Sequence, residues 1–197
     1  MRIILIIAWL FVGLAGIIFH LGPGREQAKL DRLDQILRDA QHSVDTQQWG
    51  KAVEQFDLAL ADIPAAKTQQ ARQVILKKAK AQMMSKNLPQ ARQTLEQVLA
   101  DARKDSTSEP FFVAEIESAL ASSQYYMTWL MRLEGLAKEA WLPEIESARQ
   151  HYAQVSQIGK DLGNIELVRR SQEDLEASVR LARMDLNELQ GLPLPSQ

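Results

Sequence analysis

Cysteine is missing from all 197 residues. That excludes disulfide scaffolds, thiolate metal sites, cysteine nucleophiles and lipid attachment through an N-terminal cysteine. It leaves the redox compartment open. Histidine is scarce as well: His20, His42 and His151 are scattered, and none has a carboxylate or a second histidine at ligand spacing on its own helix. They read as surface or interfacial residues. No glycine-rich phosphate loop, nucleophile elbow or paired-carboxylate motif occurs. With no catalytic, cofactor-binding or metal-ligating set in view, the chain is not expected to be an enzyme. An excess of positive charge is also lacking, since Lys+Arg number 23 against 25 Asp+Glu. Setting aside Arg2 leaves 22 basic and 25 acidic groups, a formal charge of -3. A body of that sign has no electrostatic reason to seek nucleic acid.

What is present is an ordinary globular balance, 46% hydrophobic and 24% charged, enough for one good core. The exception is the start. Residues 3–21 read IILIIAWLFVGLAGIIFHL, nineteen residues without formal charge, and a helix of that length spans about 28 Å of hydrocarbon. Thirteen of them are Ile, Leu, Phe or Val, which favours insertion by about 4 to 8 kcal/mol before end effects. The alternative is a cleaved secretory signal with its cut near Gly13 and Ala15; apolar residues running on through Ile17, Ile18 and Phe19 argue against it. Gly13, Ala15 and Gly16 lack the four-residue spacing of a close helix dimer, so the span reads as an anchor. Gly22, Pro23 and Gly24 then supply a joint. A basic leader before a span at the third residue resembles an uncleaved signal anchor, which exports the chain beyond it, although a count of Lys and Arg alone places the body on the other side.

Beyond residue 25 the pattern is helical throughout, with no strand-like alternation. Trp49, Ala52, Phe56 and Ala59 step by three, four and three, which sets them on one helix face. A small residue between large ones makes a hole that a neighbouring helix fills. The frame returns as Leu88, Ala91, Leu95 and Val98, and again as Ile145, Ala148, Tyr152 and Val155. Helices are expected over residues 26–46, 49–63, 67–84, 89–104, 109–134, 145–158 and 165–189, joined by short connections that place neighbours antiparallel. Turns are expected at Gly135, at Trp141 to Pro143 and from Gly159 to Asn164, with Asn164 capping a final helix that buries Ile165, Val168, Leu175, Val179 and Leu186. Tyr125, Tyr126 and Trp129 read as a packing face of the long fifth helix.

This frame resembles the tetratricopeptide repeat, a helix–turn–helix unit of about 34 residues that stacks into a superhelix. Ile36 and Ala40 take the packing positions of the first helix, and Trp49, Ala52, Phe56, Ala59 and Pro64 those of the second. Ile75, Ala79, Leu88, Ala91, Leu95 and Val98 repeat the roles. Ser43 and Gln82 stand where the family prefers tyrosine, and Arg103 replaces its closing proline. Ala52 and Ala91 lie 39 steps apart and Ala91 and Ala148 lie 57 apart, so the third unit is degenerate.

The resemblance implies an all-α fold, antiparallel hairpins stacked as a tetratricopeptide-like α-solenoid. An anchor and joint would occupy residues 1–24, the repeat body residues 25–190, and a non-helical tail residues 191–197. It also implies that the first helix of each hairpin lines a concave face carrying Leu37, Gln41 and Val44, then Leu76, Lys80, Met83 and Met84. Adjacent methionines suit an adaptable apolar groove, and would equally fill gaps in a core. The Lys and Asn set with which some family members grip a carboxyl-terminal peptide is absent. The expected function is a membrane-anchored adaptor that captures a protein or peptide partner without catalysis. By architecture it is similar to bacterial membrane-anchored repeat proteins, with the helical body on the exported side of the inner membrane. The alternative is a structural subunit that self-associates as a homo-oligomer through the same surface.

Overall fold

The computed structural model describes residues 23–185 and 188–191. Among the described residues are seven α-helices, one short 3-10 helix and no strand. None of these helices is long and apolar enough to cross a membrane. The expected anchor at residues 3–21, Leu186 and the tail from residue 192 lie outside the described residues. The chain divides into two compact units, residues 1–64 and 65–197.

In the first unit, α1 (Pro23–Asp45) and α2 (Trp49–Asp62) form an antiparallel hairpin. Pro23 therefore opens the first turn of α1, where a missing N–H costs nothing, and does not hold a joint apart from it. Leu33 and Ala40 of α1 are buried, as are Ala52, Phe56 and Ala59 of α2. Arg32 and Asp62 tie the open end at 3.4 Å. Ile63 leaves α2 in extended geometry (ψ 125°), the conformation that a following proline imposes.

In the second unit, α3 (Thr68–Met84) and α4 (Leu88–Lys104) repeat that hairpin 39 residues on. The turns match bond for bond. Gln47 and Lys86 both sit at positive φ, 57° and 65°, and the amides of Gln48 and Asn87 reach back to the carbonyls of Ser43 (2.8 Å) and Gln82 (2.9 Å). Each turn is a left-handed helix terminus that satisfies carbonyls otherwise left open. Ser43 and Gln82, the two departures from the family pattern, are both buried. Ser43 donates to Gln55 Oε1 at 2.7 Å, and Gln82 Oε1 accepts from Thr94 at 3.2 Å, so each hairpin carries a polar pair at the same place.

The unit continues with α5 (Pro110–Leu133), α6 (Lys138–Asp161), α7 (Ile165–Arg183) and a 3-10 turn, Glu188–Gly191. Each helix packs on the next, and α3, α5 and α7 touch lightly across the intervening helices. This is an all-helical packed arrangement compatible with a helical repeat. One core gathers Leu76, Ala79, Leu95, Val98, Phe112 and Ile116, and a second gathers Tyr125, Trp141, Ile145, Ala148, Tyr152 and Leu181.

Several boundaries differ from the sequence reading. Trp141 and Pro143 do not turn the chain; both lie inside α6. The turn is made earlier by Gly135 (φ 74°), with Leu136 N–H donating to the Met131 carbonyl at 3.0 Å. Pro143 costs α6 one hydrogen bond, to the carbonyl of Glu139, close to its start. Gly159 is also helical and buried, so the gap shrinks to Leu162–Gly163–Asn164. Asn164 does cap α7, accepting Leu167 N–H at 3.0 Å.

The final helix stops at Arg183, and its buried line is Ser171, Asp174, Ser178 and Leu181. Ile165 is 83% exposed, while Val168, Leu175 and Val179 are half-buried. The inward serines bond to their own helix, Ser171 to the Val168 carbonyl and Ser178 to that of Asp174, which lets a polar line face a core. Asp185 and Glu188 cap each other's amides at 2.9 and 3.2 Å. That reciprocal box starts the 3-10 turn where the sequence reading ran the helix on to residue 189.

Candidate binding groove

A groove of about 310 Å³ runs along α5, with α3 on one side and α7 on the other. Its floor includes Ala114, Ser118 and Ser122, spaced four apart on one face of α5. Small side chains there leave the α5 backbone close to anything in the groove. Met83 and Met84 come from α3, and Leu167, Arg170 and Asp174 from α7. Phe111 stands at the beginning of α5 with 46% of its surface exposed, and Met84 shows 37%. Lys80 and Glu115 face each other at 3.9 Å across α3 and α5.

Met83 also lines a second hollow of about 390 Å³, with Leu88, Tyr126, Trp129 and Leu130. Leu130 is 40% exposed and lines this hollow and not the groove. The aromatic cluster splits in role. Tyr125 is fully buried, meeting Tyr126 edge to face at 6.0 Å, while Tyr126 and Trp129 line the hollow. Burial pushes the Tyr125 phenol above its ordinary pKa, helped by Tyr126 and Asp174. Burial does the same to Tyr152, whose hydroxyl meets Ser122 at 3.0 Å under the groove floor. Both phenols stay neutral and act as packing groups.

Of the residues expected on a concave face, Lys80, Met83 and Met84 are brought together in this groove. Met83 does both jobs the sequence allowed, packing on the core and lining the groove. Leu76 is not a surface residue: at 4% exposure it belongs to the core beside Leu95 and Ile116. Leu37, Gln41 and Val44 belong to the first unit, where Leu37 and Val44 are half-buried and Gln41 donates to Asp45 at 2.9 Å. Phe111, Ser118, Ser122 and the α7 side of the groove were not foreseen. The interrupted spacing after Ala91 hid which helices would line up with α3.

His151 also departs from the sequence reading. It is not on the surface: its side chain is 15% exposed and its Nδ1 lies 3.9 Å from Glu117 on the neighbouring helix. His42 is exposed as expected, and His20 lies outside the described residues. No group of three or more His, Asp or Glu able to hold a metal occurs among the described residues.

Fold and groove together define an all-α protein compatible with a helical repeat, carrying an apolar trough floored by small residues. No protein-family model matches the chain, and no curated protein matches it either.

Proposed function

We propose that this chain is a membrane-anchored adaptor of the tetratricopeptide-like kind. In this reading residues 3–21 hold the helical body at a membrane surface, on the exported side. The groove along α5 takes an extended apolar segment of another protein. The observation that carries the reading is the pair of exposed apolar side chains in the groove, Phe111 and Met84, beside a floor of alanine and serine. Exposed apolar groups grouped in a concavity favour burial by a partner at roughly 25 cal/mol per Å². The small floor residues favour a backbone that approaches closely, and the methionines adapt to different side chains. Anchoring raises the effective concentration of the groove at the membrane.

The test is photocrosslinking from the full-length protein in its own membrane. A photoreactive residue in place of Met84 or Phe111 is expected to trap another protein, while one at exposed Gln97 on α4 is not. Equal trapping from all three positions, or none, refutes the groove. An adduct only with a second copy points instead to a self-associating structural subunit. Because the chain has no cysteine, a single cysteine introduced at exposed Lys160 reports the compartment; labelling of intact cells by an impermeant maleimide is expected.

A further inference from the structure

A second concavity, a polar cleft of about 320 Å³, lies among α4, α5 and α6 and includes Arg92, Arg103, Gln124, Glu144 and His151 in its lining. Two arginines of α4 reach across it. Arg92 donates to Glu144 Oε1 of α6 at 2.6 Å. Arg103 donates to Glu117 Oε1 of α5 at 2.7 Å and to Gln154 of α6 at 2.8 Å. Glu117 is only 2% exposed. Its second oxygen, Oε2, is buried without a hydrogen-bond partner, and so is His151 Nδ1. The two stand 3.9 Å apart, beyond hydrogen-bond reach.

Unmade hydrogen bonds in a buried place are costly, and here the two open atoms face each other. We propose that Glu117 and His151 form a proton-operated clamp between α5 and α6. A proton taken up by His151 makes Nδ1 a charged donor to Glu117 Oε2, and the gap closes to about 2.8 Å. Charged side chains of three helices surround the pair. α4 contributes Arg92, Glu96 and Arg103, α5 contributes Glu117, and α6 contributes Glu144. Arg92 is engaged by Glu96 and Glu144, and Arg103 by Glu117 Oε1, which leaves Glu117 Oε2 open toward His151. A proton on His151 therefore tightens the clamp, and acid strengthens it. It is independent of what the groove binds.

Thermal unfolding of the full chain in detergent tests this, at about pH 7.5 and about pH 5.5, either side of the histidine range. The wild type is expected to melt above His151→Gln by a margin about 2 to 4 °C wider at the lower pH. That widening is expected to vanish when both proteins also carry Glu117→Gln. An equal margin at both pH values, or a widening that survives Glu117→Gln, overturns the clamp. Should Glu117→Gln fail to fold, the unaltered chain still decides by NMR. A hydrogen-bonded Nδ1 proton, assigned by its loss in His151→Gln, is expected at the lower pH and not at the higher; its absence at both overturns the proposal.

Discussion

Arg132 lies over the indole of Trp141, 4.8 Å from the ring centroid, and its two terminal nitrogens donate to the carbonyls of Leu181 and Met184. Those carbonyls close the last turn of α7, where the helix leaves acceptors open and concentrates negative partial charge. One side chain from α5 thus holds α6 by its face and α7 by its end. Burial pulls the guanidinium below its usual pKa, with Asp185 opposing, but the group starts so high that it keeps its charge. Arg132→Met preserves much of the stem and removes the fork. It is expected to cost about 2 to 4 kcal/mol in urea unfolding, because buried carbonyls lose charged donors. Arg132→Lys is expected to recover only part of this, since an ammonium lacks the planar fork that meets two carbonyls at once.

Gly159 of α6 lies directly against the first turn of α7. A Cβ built there meets Val168 Cγ2 at 2.9 Å and the Val168 backbone nitrogen at 3.2 Å. Val168 is β-branched and stiff in a helix, and the backbone atom cannot turn away. Gly159→Ala is therefore expected to destabilise by about 1 to 3 kcal/mol as the helices are pushed apart, against the usual helical preference for alanine. Gly50, in α2, has open space around its missing Cβ. Gly50→Ala is expected to stabilise by roughly 0.5 kcal/mol, through the unfolded chain. Denaturant midpoints of the two variants should move in opposite directions.

The repeat was legible because large-small-large alternation is a local property of one helix face. Ala52, Ala91 and Ala148 are all completely buried, and so are Phe56, Leu95 and Tyr152 beside them. The turns at Gln47 and Lys86 carry no glycine, so their positive φ left no signal. The inner face of α7 was misread because hydropathy points to Ile165 and Val179, whereas Ser171, Asp174 and Ser178 are the buried positions. Serines that bond to their own helix bury at little cost, and composition does not distinguish them from surface serines. The Asp185-x-x-Glu188 box was visible as a pattern and overlooked. The α3 side of the groove followed from the repeat frame, but Leu167 and Arg170 joined it only through tertiary packing, after the period had broken down.

The alanine positions supply a direct check on that packing. Ala52 lies within the α1–α2 hairpin and Ala91 within α3–α4, each with no exposed surface. Replacing either with leucine forces three extra carbons into a filled interface, at a cost of about 1 to 3 kcal/mol. The two sites sit in different compact units. Ala52→Leu is thus expected to shift proteolytic sensitivity of residues 23–64 first, and Ala91→Leu that of the segment beyond residue 65. Limited proteolysis followed by mass spectrometry reads the difference, and an identical cleavage pattern in both variants would contradict it.

Asp105 fixes the connection between α4 and α5. Its carboxylate accepts the Thr107 hydroxyl at 2.7 Å and the Thr107 amide at 2.9 Å, and it also pairs with Arg72 at 2.7 Å. Chiefly because of the two Thr107 bonds, its pKa falls from 3.8 to about 2. A carboxyl group depressed on folding stabilises the native state above its unfolded pKa, and that contribution disappears as pH drops through the folded value. The window for Asp105 is therefore from about pH 4 down to about pH 2. Asp105→Asn is expected to be less stable than the wild type at neutral pH, with the two stabilities converging across that window. Glu166 titrates in the same direction, from 4.5 to about 2, held down by Arg169 and Arg170, so the comparison is cleanest in a Glu166→Gln background. There the residual acid sensitivity in this window should shrink once Asp105 is also changed. Parallel stability curves with and without the Asp105→Asn substitution would mean that the Thr107 and Arg72 contacts do not form in solution.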